Sequence, residues 1–156
     1  MDAIVAGFND AFVEVDQRSR ELLDKIDDAQ LFLRVADTGS LAGASVGEYI
    51  LRSAAMVEKT FGGITTRLWD DPFEWTLPEK LSDKAAILVY LDEVEATRAK
   101  GFAYFTSDDD LSRQIPAPEK LTPLIDILLD TLVKASHYQG RAAVVYQIIS
   151  CPEPDR

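Results

Sequence analysis

Apolar residues fall at helical spacing along most of the chain. Val5, Phe8, Phe12, Val15, Leu22 and Ile26 recur at intervals of three, four and seven, while Asp10, Glu14, Asp16, Arg20 and Lys25 fill the rest of the wheel. This predicts a first amphipathic helix ending near Asp27-Asp28, then a short helical or irregular piece over Ala29 to Val35. Turn formers crowd Asp37-Thr38-Gly39-Ser40, where a crossover loop is expected. Ser45 stands three residues before Glu48, the spacing in which a hydroxyl and a carboxylate each satisfy a free backbone N–H at a helix start. Behind it Val46, Tyr49, Ile50, Ser53, Met56, Val57, Phe61, Ile64 and Leu68 form the stripe of a second helix. Gly62-Gly63 weakens its late part by about 1 kcal/mol each.

The stretch Trp69 to Pro78 carries two prolines and two tryptophans and reads as a loop whose aromatics fold back over the end of the molecule. Ser82 and Asp83 can start a third helix, whose face runs through Ile87, Leu91, Val94, Arg98, Phe102 and Phe105 and stops in Ser107-Asp108-Asp109-Asp110. Pro116 and Pro118 are expected to exclude regular structure up to Glu119. Thr122 and Pro123 suit the N-cap and first position of a fourth helix, because the N–H that proline lacks would be unpaired there. Periodicity then continues through Ile149 and stops before Pro152. No segment alternates as a strand does. The expectation is an all-α fold, an antiparallel four-helix bundle with long crossover connections, forming a single domain over residues 1–156.

Composition agrees with that picture and narrows function. Hydrophobic residues make up 47% of the chain, enough for one core. A net charge of −11 repels a phosphate backbone, so nucleic acid is not an expected partner. Cys151 is the single cysteine, so neither an internal disulfide nor a thiolate metal cluster can form. The start, Met1-Asp2-Ala3-Ile4, lacks the features of a secretion signal, and no apolar run approaches a membrane span. A cytoplasmic protein without a membrane partner is expected. Apolar helix faces and the aromatic residues Trp69, Phe73 and Trp75 offer a self-complementary surface, so a homo-oligomer, a dimer, is expected as well.

Catalytic signatures are missing: the chain has no glycine-rich phosphate loop, G-x-S-x-G elbow, H-E-x-x-H or E-x-x-H pattern. His137 is the lone histidine, and a lone helical histidine more often serves as a surface polar residue than as a base. The acidic pairs and runs Asp27-Asp28, Asp70-Asp71 and Asp108 to Asp110 sit at predicted helix ends or loops, where capping and solvation explain them better than cation binding.

In order, Leu23 to Ala36 leading to a turn, Gly43-Ala44-Ser45-Val46-Gly47-Glu48 opening the second helix, Asp109-Asp110-Leu111, Leu121-Thr122-Pro123 and His137-Tyr138-Gln139-Gly140-Arg141 resemble the DinB-like (damage-inducible) superfamily. The resemblance covers nearly the whole chain and implies a four-helix bundle that often carries a divalent metal. Metal-binding members place one histidine seven residues after the helix-two serine and two more, six and two residues before the signature glycine. Those positions here are Arg52, Lys134 and Tyr138. Arginine and lysine are protonated at neutral pH and repel a cation, so the metal site reads as degenerate and no metal or other cofactor is expected. A cationic pocket of Arg52 and Lys134, with Tyr138, His137 and Arg141 beside them, would instead suit a carboxylate- or phosphate-bearing small molecule. Arg52 and Lys134 could equally pair with acidic neighbours and seal the bundle. The resemblance leaves a second reading open, a metal-dependent thiol or small-group transferase or hydrolase-like enzyme.

Overall fold

The protein is seen here in a computed structural model that describes residues 2–35, 43–72 and 80–151. It is mostly helical: α1 spans Ala3–Lys25, α2 is the single turn Asp28–Leu31, α3 spans Val46–Thr66, α4 Lys84–Phe102 and α5 Leu124–Ser150. A short 3-10 helix, Asp108–Ser112, and two strands, β1 (Gln114–Pro116) and β2 (Leu121–Pro123), lie between α4 and α5. No helix among the described residues is long and apolar enough to cross a membrane. The turn formers Asp37 to Ser40, with Phe73 and Trp75, fall outside the described residues.

Three of the four long helices start where side chains satisfy free N–H groups, though not always local side chains, whereas the first N–H of α5, that of Leu124, donates to the Arg113 carbonyl (3.0 Å). At α3 the Glu48 N–H donates to Ser45 Oγ (3.2 Å), the Ser45 N–H donates back to Glu48 Oε2 (2.8 Å), and Arg34 reaches Oε1 (2.5 Å). Asp83 caps α4 through the Ala86 N–H (2.8 Å), and the Lys84 N–H donates to Asp28 (2.9 Å). For α1 the residue at the N-cap, Asp2, makes no such bond. Asp108 does so instead, accepting from the N–H groups of Ile4 (3.1 Å) and Val5 (2.9 Å) across 104 and 103 positions of sequence. Arg67 ends α3 in a left-handed turn (φ 63°), so Leu68 lies beyond the helix and is exposed, not on its apolar stripe.

The four long helices pack with α1 and α3 each against both α4 and α5. Side-chain pairings fix their directions. Ser53 donates to the Ala135 carbonyl and Thr60 meets Thr131, so α3 and α5 run antiparallel. Asn9 meets Arg98 and Arg20 meets Asp92, so α1 and α4 do too. By contrast α1 and α5 run the same way, since Ile4 and Phe8 share a groove with Leu132 while Ala11 and Val15 share one with Ser136 and Gln139. It follows that α3 and α4 are parallel. The antiparallel arrangement expected from the sequence therefore holds for two of the four neighbouring pairs. A parallel neighbour requires the chain to return to its starting end, and residues 67–83, at about 3.3 Å per extended residue, can span the roughly 30 Å length of α3.

At the centre Phe12, Phe61 and Phe102 meet with ring centroids 5.1–6.0 Å apart. Each is buried, and burying such a ring contributes about 2–3 kcal/mol. Gly101 lets Phe61 approach the backbone of α4, where a Cβ would overlap the ring. Arg98, predicted on the apolar face, is indeed buried, forked onto Glu95 and bonded to Asn9, with Phe102 5.7 Å from its guanidinium carbon.

Pro116 and Pro118 do not exclude regular structure. Strands β1 and β2 form an antiparallel ribbon in which Gln114 opposes Pro123, Ile115 opposes Thr122 and Pro116 opposes Leu121. Its prolines sit at strand ends, where a missing N–H costs least, and Ile115 anchors it in the core. Because Thr122 is taken by the ribbon, Pro123 occupies the N-cap of α5 and the helix begins at Leu124, one position later than its sequence signal.

Candidate functional site

The antiparallel pair α3 and α5 carries the residues singled out in the sequence. Its register is set by two buried polar contacts: Ser53 Oγ to the Ala135 carbonyl (2.8 Å), and the hydroxyls of Thr60 and Thr131 (2.6 Å). Groups of this kind are costly to bury unpaired, so they hold the two helices in one alignment. One turn before Ser53, Tyr49 is buried against Tyr138 of α5, the rings nearly parallel (26°) with centroids 6.4 Å apart.

Around Tyr49 the structure brings together most of the predicted set. The guanidinium carbon of Arg52 lies 6.0 Å from the centre of the Tyr49 ring and that of Arg141 lies 5.9 Å from it, one from each helix. Both are within the range of cation–π attraction. His137, on the exposed side of α5, meets Tyr138 edge-on at 6.0 Å. Lys134 does not join them: its ammonium pairs with Asp130 (2.7 Å) one turn back along α5, with both side chains more than half exposed. This exposed pair contributes at most about 1 kcal/mol. Tyr49, central to the cluster, was read in the sequence only as part of an apolar stripe. Nothing in spacing distinguishes a tyrosine that fills a core from one that carries two cations on its ring.

Lys134 lines a neighbouring groove of about 530 Å³ that opens to solvent beside α3 and α5. Met56 and Trp69 supply its apolar wall, Thr60 and Thr131 its hydroxyls, Lys59 and Lys120 further positive charge, and Asp126 and Asp130 negative charge. Trp69 is half-buried over Gly63 and donates its indole N–H to the Pro116 carbonyl (3.1 Å), so this aromatic does fold back onto the helices as its sequence suggests.

The donor set does not fit a divalent metal. Of Arg52, Lys134 and Tyr138 two are cationic, and the Lys134 ammonium pairs with Asp130. Among the described residues no three histidine, cysteine, aspartate or glutamate side chains converge as a metal site would require.

Other ionisable groups serve the framework. Burial pushes the Asp16 carboxyl upward, against its bond to Arg20 (2.6 Å). The fork from Arg98 holds Glu95 below the ordinary carboxylate range. Burial, then the carboxylate of Glu58 at 2.5 Å, keeps the Tyr90 phenol protonated well beyond its usual range. No known family model and no curated protein matches the chain.

Proposed function

We propose that the chain is a DinB-like four-helix bundle of the cytoplasm that works without a metal, binding a small carboxylate- or phosphate-bearing molecule where α3 and α5 meet around Tyr49. The observation that carries this reading is the convergence of Arg52 and Arg141 on one tyrosine ring, at 6.0 and 5.9 Å, in a chain whose net charge is −11. An anion lying between the two guanidinium groups would accept charge-assisted hydrogen bonds worth about 1.5–3 kcal/mol each. Tyr138 stands beside the pair with its hydroxyl as a further partner. The adjacent groove carries Lys59, Lys120 and Lys134 together with Asp126 and Asp130, and its Met56 and Trp69 would take an apolar part of the ligand.

A thermal-shift screen of small carboxylates and phosphates tests the reading. A binder at a hundred times its dissociation constant stabilises the folded state by about 2.7 kcal/mol, and this gain should disappear in Arg52→Ala and Arg141→Ala. A screen without stabilising anions, or stabilisation equal in both variants, overturns the anion site. Protein exposed in turn to zinc, nickel and manganese and then dialysed should retain none in stoichiometric amount. Near-stoichiometric retention would refute the metal-free reading.

A further inference from the structure

A row of exposed apolar residues runs along the outward side of α5, between the polar Asp126, Ser136, His137 and Gln147. Ile125, Leu129, Val133, Val144 and Ile148 are 38%, 52%, 61%, 40% and 42% exposed. Their positions are symmetric about the point midway between Ser136 and His137: Ile125 mirrors Ile148, Leu129 mirrors Val144, and Val133 mirrors Gly140. A helix with this pattern presents the same seam when turned end for end. We propose that this face joins two copies of the chain, α5 against α5 in antiparallel, about a twofold axis passing between Ser136 and His137.

Two features favour a second copy over another occupant. The first is shape. In this register Val133, the most exposed of the set, meets the partner's Gly140, and a Cβ built on Gly140 has nothing within 4 Å. A glycine inside a helix costs about 1 kcal/mol relative to alanine. At Gly47, Gly63 and Gly101 an aromatic ring from Phe32, Trp69 or Phe61 occupies the space a side chain would take. At Gly140, as at Gly7 of α1, nothing within 4 Å takes that space, which leaves room for an approaching helix. The second is charge. Asp130 and Arg141 lie on the flank of the seam that faces α3, and a twofold axis perpendicular to the helix keeps that flank on one side while reversing its order. The partner's Arg141 then comes within two positions of Asp130, and the contact occurs twice. On the other flank Ile4, Gly7 and Phe8 of α1 with Leu132 continue the apolar surface. The seam of Val133 and Gly140 lies on the outward edge of α5, away from Tyr49 and Arg52, and only Arg141 borders both it and the anion site, so Val133→Glu and Gly140→Leu test the interface without touching that site.

Sedimentation of the full chain over a range of concentrations should show a reversible monomer–dimer equilibrium. Val133→Glu, at an exposed position, should raise the dimer dissociation constant more than about a hundredfold, since the charge is buried twice in a symmetric contact, with helix content by circular dichroism unchanged. Gly140→Leu separates folding from association: it should raise the melting temperature of dilute protein while weakening the dimer. Asp130→Arg should weaken the dimer and the pair Asp130→Arg with Arg141→Asp should restore it. In a Cys151→Ser background, His137→Cys beside the twofold axis should form a disulfide-linked dimer on mild oxidation, whereas Lys100→Cys on α4 should not. A chain that sediments as a monomer at every concentration, or a dimer unmoved by both Val133→Glu and Gly140→Leu, overturns the proposal, whatever other protein that face then proves to hold.

Discussion

Ser45 and Glu48 act on each other through three bonds, and the first turn of α3 depends on them. Burial works against ionisation of Glu48, yet the Ser45 N–H, the Ser45 hydroxyl and Arg34 together outweigh it and hold the carboxyl below its ordinary value of 4.5. A carboxylate whose pKa falls on folding contributes stability above its unfolded value and loses it as pH drops through its folded one. Stability of the wild type should therefore fall as pH is lowered from 4.5, and Glu48→Gln should flatten that part of the curve while lowering stability at neutral pH. Chemical denaturation at stepped pH measures both; parallel curves would refute the assignment. Ser45→Ala should cost about 1 kcal/mol at neutral pH and less once Glu48 is protonated, because the Ser45 hydroxyl also bonds its carboxylate. This box was legible in sequence because both partners are three residues apart. Gly101 was not, since its requirement comes from Phe61, forty positions away. With Phe61 fully buried, Gly101→Ala should overpack the core and destabilise by about 1–3 kcal/mol, despite alanine's better helix propensity.

Elements were legible where their own residues set them and less so where a distant segment does. All four long helices lie where the apolar period places them, because that period reports burial directly. The ribbon of β1 and β2 left no alternating pattern, since strands of three residues are too short to show one, and its pairing displaced Thr122 from its expected cap. The start of α1 is the clearest case of action at a distance. Asp2 is adjacent in sequence and does not cap, whereas Asp108 does. The acidic run around Asp108 was correctly read as a capping feature, but not of a helix 104 positions away. Asp108→Ala should therefore loosen the first turn of α1 at a cost of about 1 kcal/mol. Amide exchange at Ile4 and Val5 should rise more than at the neighbouring turn of α5; protection unchanged there would show that Asp108 is dispensable to α1.

For the whole molecule, helix directions and the tyrosine-centred cluster were the least legible features, for one reason. Both depend on which faces meet, and periodicity gives the apolar face of a helix without naming its neighbour. Arg52, Tyr138, His137 and Arg141 gather because α3 and α5 are antiparallel in one register, and a quarter turn of either helix would have separated them, as a single turn separates Lys134. Net charge, in contrast, is read directly, and it makes a prediction of its own. With 27 acidic and 16 basic side chains, no arrangement of ion pairs can neutralise the surface, and the excess repels itself more in the compact state than in the extended one. Salt also weakens the favourable pairs, but Arg18 with Glu14 and Lys134 with Asp130 are both more than half exposed and worth at most about 1 kcal/mol each. Relief of repulsion should win. Raising sodium chloride from about 10 mM to about 1 M, which shortens the screening length from about 30 Å to about 3 Å, should raise the melting temperature of dilute protein. A fall would mean that specific ion pairs, led by the buried Arg98 and its Glu95 partner, outweigh the general acidity of the chain.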